Sequence, residues 1–102
     1  MEYTEVIEMI DKFRDARGWE KYHNLKDLAI SVNLEASEIL EIFQWKNEQG
    51  SLSEEDKIKL KEEIADTLIY LFYMVDKLEM NPYEEIQKKV EINKKRHWKQ
   101  DK

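Results

Sequence analysis

The chain is short, highly charged and free of cysteine. Its 102 residues include 39% charged side chains and carry a formal net charge of −6 at pH 7. This length predicts a single domain spanning residues 1–102. The lack of cysteine excludes disulfides, thiolate nucleophiles and cysteine-based zinc sites. Two glycines and one proline are too few for a many-stranded β fold, and neither glycine lies in a glycine-rich phosphate-binding loop.

No segment has the pattern of a membrane span or a secretory signal. The longest apolar stretch, residues 64–75, is interrupted by Asp66 and is shorter than the roughly 20 residues that a span needs. The first residues include acids and lack the basic start and apolar run of a signal sequence. We therefore expect a cytoplasmic protein that makes no membrane contact.

The first half of the chain is predicted to form two helices. Apolar residues recur at helical spacing over about residues 3–17, and Gly18 is placed to end this helix. The second helix is predicted over about residues 25–47, where Asn24 can cap its first N–H groups.

The second half of the chain is predicted to form two more helices. The third helix follows Ser53, a typical N-cap residue, and extends to about residue 79. The fourth begins at Pro82, which suits the first helical position after an Asn81 cap, and ends near residue 98. The pattern as a whole predicts an all-α domain of four helices.

Helical periodicity predicts which apolar side chains form the core. They are Val6, Ile7, Ile10 and Phe13 in the first helix, Leu28, Ala29, Val32, Ala36, Ile39 and Phe43 in the second, Ile64, Ala65, Leu68, Phe72 and Val75 in the third, and Ile86 and Val90 in the fourth.

A second face, rich in acids and aromatic rings, lies beside the predicted core stripe of the two central helices. Its residues are Ser31, Glu35, Glu38, Ile42 and Trp45 in the second helix and Glu63, Asp66, Tyr70 and Tyr73 in the third. Solvated helix faces are rarely so aromatic, so this face is expected to contact a ligand, a partner subunit or both.

Four acids on this face form two pairs at the i, i+3 spacing that stacks side chains on adjacent turns: Glu35 with Glu38, and Glu63 with Asp66. If the two helices pack antiparallel, the four carboxylates converge, and their oxygen donors suit Mg²⁺ or Mn²⁺. A di-iron site is disfavoured because the usual Glu-x-x-His pairs are absent. From the spacing alone, these residues could equally be ordinary solvated acids.

The order of these motifs resembles the all-α nucleoside triphosphate pyrophosphohydrolases of the MazG-like superfamily, especially their small single-domain dCTPase-type branch. The resemblance rests on Trp19, Tyr22-His23, Glu35-Ala36-Ser37-Glu38, Glu41-Ile42-Phe43-Gln44-Trp45, Glu62-Glu63-Ile64-Ala65-Asp66 with the residues to Leu71, and a K-x-x-x-N-x-x-R pattern at Lys89, Asn93 and Arg96. It implies a four-helix bundle that hydrolyses (deoxy)nucleoside triphosphates to monophosphate and pyrophosphate.

The resemblance also implies roles for individual residues. Mg²⁺, or Mn²⁺ in its place, would be held by Glu35, Glu38, Glu63 and Asp66, and Glu38 is the candidate general base. Candidate substrate-binding residues are Trp19, His23, Trp45 and Tyr70 around the base, Lys26 near the base or phosphates, and Lys89, Asn93 and Arg96 on the phosphates. Leu34, Ser37 and Asp27 depart from the family pattern, so the preferred base stays open.

Two other functional classes compete with the enzyme. The aromatic faces could build a non-catalytic helical oligomerisation or interaction module whose acids are surface residues. Nucleic-acid binding through the basic residues 88–102 is disfavoured because the preceding residues are strongly acidic. Four helices in so short a chain make a thin bundle, so a homodimer or homotetramer is expected.

Overall fold

The computed structural model describes residues 1–46 and 51–96. These residues form four α-helices: α1 (Tyr3–Ala16), α2 (Leu25–Phe43), α3 (Glu54–Lys77) and α4 (Pro82–Lys94), with a short 3₁₀ turn at Glu20–Tyr22 between α1 and α2. The all-α prediction is confirmed. The second and fourth helices end at Phe43 and Lys94, so the predicted ends near residues 47 and 98, which themselves lie outside the described residues, are about four residues too late.

The predicted helix boundaries follow from local capping chemistry. The side chains of Asn24 and Ser53 accept hydrogen bonds from the backbone N–H groups of Asp27 and Asp56, which caps α2 and α3. Asn81 caps α4 in the same way, and Pro82 takes its first position. Gly18 has φ +67°, the left-handed conformation that glycine adopts without a steric cost after a helix end.

The core lies where α1 and α2 pack against α3. Its buried apolar side chains are Ile10 of α1, Leu28 of α2 and Tyr73 of α3. The Tyr73 hydroxyl donates a hydrogen bond to the Ile10 backbone carbonyl, 63 residues away in sequence. The Tyr3 ring contacts the Phe72 ring edge to face, with centroids 5.8 Å apart. The α1 helix is therefore fixed to the face of α3 that carries Tyr73.

Much of the predicted core stripe is instead exposed in the single chain, so that part of the core prediction is wrong. In α3, the side chains of Ile64 and Leu68 are 42% and 45% exposed. The same is true of Phe13 in α1, Ala29, Ala36 and Phe43 in α2, Ala65 in α3 and Ile86 and Val90 in α4.

The reason for the exposure is the small area over which α4 meets the other helices. The principal helix contacts among the described residues are those of α2 with α3 and of α1 with α3. The α4 helix begins near the start of α1, where the Tyr83 and Tyr3 rings are 6.2 Å apart, but it does not cover the stripe of Ile64 and Leu68. The outer side of the α2 and α3 pair therefore has no neighbour within the described chain.

None of the helices in residues 1–46 and 51–96 combines the length and the hydropathy needed to span a bilayer.

Candidate metal and nucleotide site

Three of the predicted acids come together between α2 and α3. Carboxylate oxygens of Glu35, Glu63 and Asp66 all lie within 4.8 Å of one another, with Glu35 and Glu63 half-buried and Asp66 exposed. Glu38, one turn after Glu35, lies within hydrogen-bonding reach of both Glu35 and Glu63. The two helices pair their acidic faces, as the i, i+3 spacing predicts for an antiparallel hairpin. We call these four residues the acidic cluster.

The electrostatics of the acidic cluster are unfavourable without a cation. Burial, followed by the charges of Glu38 and Asp66, raises the pKa of Glu35. Hydrogen bonding of the protonated Glu63 carboxyl to Glu38, together with burial and the surrounding carboxylates, raises the pKa of Glu63 from 4.5 to about 7. No lysine or arginine in the described part of the chain is among the groups that shift these two pKa values. Without a cation, Glu35 and Glu63 therefore keep their protons to a higher pH than isolated carboxyl groups do.

The donor set of the acidic cluster fits a hard divalent cation. Glu35 and Glu63 each have a buried Oε2 atom without a hydrogen-bond partner in the described residues. A buried carboxylate oxygen without a partner is costly, and an ion can supply what the protein does not. Mg²⁺ prefers a few carboxylate oxygens with substrate phosphates in its remaining positions. The residues that would hold it are Glu35, Glu38, Glu63 and Asp66.

An aromatic cavity adjoins the acidic cluster on one side. It has a volume of about 360 Å³, and Trp19, Tyr22, His23, Asp27, Leu28, Ile30, Ser31 and Tyr70 line it. Three predicted substrate-binding residues, Trp19, His23 and Tyr70, therefore share one cavity. Burial, and then the charges of Glu35 and Asp66, raise the pKa of Tyr70, so this lining residue of the cavity also lies near two of the acids.

The histidine of the aromatic cavity is a neutral group near pH 7. His23 is 7% exposed. Burial, with smaller contributions from the positive charges of Arg14 and Lys77, lowers its pKa. Its Nδ1 atom is buried and has no hydrogen-bond partner among the described residues, and its ring lies 4.6 Å from the Tyr73 ring, centroid to centroid. The imidazole is therefore held by core packing, and its uncharged form offers one donor and one acceptor.

A charged cavity lies on the other side of the acidic cluster. It has a volume of about 570 Å³, and its charged lining residues are five acids and two lysines: Glu38, Glu41, Asp56, Glu62, Glu63, Lys46 and Lys59. Lys46 forms an ion pair with Asp56 at 2.8 Å between Nζ and Oδ2, which ties the end of α2 to the start of α3. The acidic cluster thus has an aromatic cavity on one side and a cavity with two lysines on the other.

The remaining predicted residues lie apart from the aromatic cavity within the chain. Trp45 follows the end of α2 with φ +69° and is 93% exposed. Lys26 is exposed in the first turn of α2 and is not among the lining residues of the aromatic cavity.

The predicted phosphate-binding residues lie on or just after α4. Lys89 and Asn93 belong to the helix, and Arg96 follows its end. None of the three lines either cavity. Asn93 is half-buried, and its buried Oδ1 has no hydrogen-bond partner among the described residues.

Sequence reasoning missed several lining residues whose spacing could have indicated them. Lys59 is one turn before Glu63, so it shares a helix face with a cluster acid. Ser31, which was predicted to lie on the second face, lines the aromatic cavity. Asp27 was not proposed as a binding residue, although it lies one turn before Ser31. Lys46 has no such signal because it follows the end of α2.

Comparison with known proteins identifies the family of this chain. A family model described as the MazG-like family matches residues 30–102. The chain belongs to the MazG-like family. A pyrophosphatase from Archaeoglobus fulgidus DSM 4304 has a similar structure, with a TM-score of 0.71 and 41% sequence identity over 88% of this chain and 86% of that one.

Curated relatives include vertebrate dCTP pyrophosphatases. The dCTP pyrophosphatase 1 of Homo sapiens is 31% identical over 91 residues, covering 84% of this chain and 53% of the human protein. The Mus musculus protein of the same name is 29% identical over 90 residues, with the same coverage of both chains. This MazG-like chain therefore spans about half the length of the curated relatives that it matches.

Proposed function

We propose that this MazG-like protein is a Mg²⁺-dependent hydrolase that converts (deoxy)nucleoside triphosphates to the monophosphate and pyrophosphate. The observation that carries the proposal is the convergence of Glu35, Glu63 and Asp66 beside the aromatic cavity. A nucleobase can stack on aromatic side chains, while a triphosphate can approach carboxylates only when divalent cations neutralise both. The names of the relatives point to the same bond.

In this proposal the base of the substrate binds in the aromatic cavity, and its phosphates bind at the acidic cluster and in the charged cavity. The base enters the aromatic cavity and meets Trp19, His23 and Tyr70. The phosphates pass the acidic cluster, and Lys46 and Lys59 offer positive charge to the terminal phosphates in the charged cavity. The family resemblance favours three further phosphate ligands, Lys89, Asn93 and Arg96. It also favours contacts of the substrate with Trp45 and Lys26.

The reaction needs a water molecule, a base and stabilisation of the departing phosphate. When bound, Mg²⁺ supplies positive charge to the phosphate oxygens and promotes ionisation of water. Glu38 is our candidate base: it is the exposed member of the second-helix pair, and it contacts both half-buried acids. It accepts the proton of the attacking water as the new P–O bond forms and the α–β phosphoanhydride bond breaks.

The decisive experiment follows the products. The purified protein with Mg²⁺ and a panel of canonical and modified triphosphates should release monophosphate and pyrophosphate in equal amounts from at least one substrate. Glu63→Gln and Asp66→Asn should abolish turnover, whereas Glu8→Gln, an exposed acid on α1, should retain it. Release of orthophosphate alone would refute the assignment.

We also propose that two or more copies assemble. Ile64, Leu68 and Leu71 form an apolar stripe on α3 in which each side chain is at least 40% exposed. A stripe of this kind on a soluble domain usually contacts another surface. Assembly is also what the competing idea of a non-catalytic helical module requires, so assembly does not separate the two functions. Mg²⁺ binding distinguishes the hydrolase from the module, because a non-catalytic module does not require Mg²⁺.

A further inference from the structure

We infer that Tyr73 is a positioning residue for the substrate base: it lies behind the aromatic cavity and fixes the rings of His23 and Tyr70, which line that cavity. The inference deepens the proposed function and rests on it, since it assumes that the base enters the aromatic cavity. Tyr73 is not itself among the lining residues of this cavity, so it acts on the base through its two neighbours.

The His23 imidazole depends on packing for its orientation. Its backbone follows the short 3₁₀ turn Glu20–Tyr22, where the His23 N–H donates to the Glu20 carbonyl at 3.1 Å. The residue is only 7% exposed, yet its buried Nδ1 atom has no hydrogen-bond partner among the described residues. A ring without a hydrogen bond at this atom keeps one orientation through the groups packed against it.

The Tyr73 ring contacts both of the base-binding rings. Its centroid lies 4.6 Å from that of His23, with the two planes at 70°. The Tyr70 centroid lies 6.2 Å from that of Tyr73, with the planes at 65°. Aromatic pairs favour such edge-to-face contacts over face-to-face stacking, so each contact fixes a direction as well as a distance. Tyr73 therefore determines the position of two walls of the aromatic cavity.

Tyr73 is itself held at both ends. Its backbone belongs to α3, its side chain is buried, and its hydroxyl donates a hydrogen bond to the Ile10 carbonyl of α1. The Arg14 guanidinium of α1 lies 6.0 Å from the centroid of the ring. A supporting residue that is locked by packing and by a hydrogen bond can hold the binding residues beside it in one geometry.

A third cavity adjoins the aromatic cavity on the Tyr73 side. It has a volume of about 310 Å³ and shares His23 and Leu28 with the aromatic cavity. The residues that line the third cavity alone are Tyr73, Arg14, Asp76 and Lys77. His23 is thus close to a polar space on one side and to the base on the other, and the Tyr73 ring packs against it between the two helices. Removal of this ring would let water from the third cavity reach the imidazole.

The first test observes His23 directly and needs no substrate. In a His97→Gln background His23 is the single histidine, so proton NMR reports its pKa without ambiguity. Tyr73→Leu should raise the pKa of His23 towards its ordinary value of 6.5, because burial is the main cause of the lowered pKa. Tyr73→Phe keeps the ring and should leave the pKa of His23 unchanged. An unchanged pKa in Tyr73→Leu would overturn the inference.

The second test separates positioning from a loss of stability. With the best triphosphate of the substrate panel, Tyr73→Leu should raise KM about fivefold, the worth of one aromatic contact, and leave kcat almost unchanged, because the acidic cluster is intact. Tyr73→Phe should have the wild-type KM, although it loses the hydrogen bond to the Ile10 carbonyl. If Tyr73→Leu does not fold, Tyr73→Met, whose longer side chain fills more of the space, gives the same comparison.

The matched control is Phe72→Leu, which truncates the neighbouring aromatic residue of α3. The Phe72 ring contacts Tyr3 and lines neither the aromatic cavity nor the third cavity. Phe72→Leu should therefore cost packing and keep the wild-type KM. Equal rises of KM in Tyr73→Leu and Phe72→Leu would show that Tyr73 is purely structural and would overturn the inference.

Failure of the proposed function gives a different result. In that case no triphosphate yields pyrophosphate, while the NMR measurement still decides whether Tyr73 fixes the His23 ring. The affinity of α,β-methylene dCTP, measured by calorimetry with Mg²⁺, then takes the place of KM. Binding that is about fivefold weaker in Tyr73→Leu and unchanged in Tyr73→Phe supports the role. Equal affinities of wild type and Tyr73→Leu, or no binding by the wild type, refute it.

Discussion

The side chains of Glu38 in α2 and Glu63 in α3 lie within hydrogen-bonding reach of each other, although both are acids. This contact contributes most to raising the pKa of Glu63 to about 7. Two carboxyl groups can be joined in this way only while they share a proton. The site is therefore built to exchange a proton for a cation, and its behaviour with pH and Mg²⁺ follows from this pair.

The first prediction concerns stability without metal. Because the pKa of Glu63 is 4.5 in its ordinary state and about 7 in the folded protein, the folded state binds more protons between these two values. The free energy of unfolding should therefore fall as pH rises from about 4.5 to about 7. Urea denaturation in a chelator at several pH values measures this, and Glu63→Gln should flatten the slope.

The control for this pH dependence is Glu8→Gln, which changes the charge equally on an exposed part of α1. His23, whose pKa is lowered, acts in the opposite direction, so the difference between wild type and Glu63→Gln is the informative quantity. If the two proteins lose stability with pH in parallel, the Glu38–Glu63 proton pair does not exist.

The second prediction concerns Mg²⁺. Binding should release protons near neutral pH, because a cation displaces the proton shared in the acidic cluster. Calorimetry in two buffers with different ionisation enthalpies should give different apparent binding enthalpies. Glu35→Gln should weaken binding at least about tenfold, because it removes a charged ligand, while Glu8→Gln should not. Binding unaffected by Glu35→Gln would place the cation elsewhere.

The fold was largely predictable because helix signals are local. Asn24, Ser53 and the Asn81-Pro82 step each act on backbone groups within a few residues, and each cap appears where the sequence places it. The meeting of Glu35 with Glu63 and Asp66 was also predictable, because i, i+3 spacing fixes a helix face and a short connection makes two helices neighbours.

The helical periodicity of apolar residues did not predict which of them are buried and which are exposed. Periodicity identifies an apolar face, but it does not say whether the neighbour that covers it belongs to the same chain. Ile64 and Leu68 have the period of core residues and are nevertheless about half exposed. Asp27 lines the aromatic cavity with Trp19 and His23, which flank the 3₁₀ turn, and with Tyr70 of α3, and periodicity along one helix does not indicate such a combination.

The third prediction concerns the link between α1 and α3. Tyr73→Phe removes the hydroxyl that donates to the Ile10 carbonyl and keeps the ring packed. A buried hydrogen bond is worth about 1 kcal/mol, so the free energy of unfolding in urea should fall by about that amount. Tyr83→Phe, at a side chain that is 64% exposed, is the matched control and should change it by much less. Equal effects would show that the hydroxyl of Tyr73 adds no net stability.

The fourth prediction concerns the phosphate ligands that the family resemblance favours on α4. Lys89→Ala should raise KM for the triphosphate by roughly tenfold, because it removes a charged partner of a phosphate oxygen. Lys88→Ala removes the adjacent charge, which pairs with Glu85 at 3.5 Å, and should leave KM almost unchanged. Steady-state kinetics at fixed free Mg²⁺ compares the two. If both variants match wild type, the phosphates are held by other residues, and Lys46 and Lys59 become the next pair to replace.

The last prediction concerns the apolar stripe on α3. Leu68→Asp places a charge in the middle of the stripe, beside Ile64 and Leu71, where burial against a second copy would be costly. Light scattering during gel filtration should show the wild type as a multiple of the 12.4 kDa chain and the variant at a lower mass. Ile58→Asp adds the same charge to another exposed apolar position of α3, on a different side of the helix, and should keep the wild-type mass. A wild-type protein of monomeric mass would instead mean that the stripe of Ile64, Leu68 and Leu71 is exposed in solution.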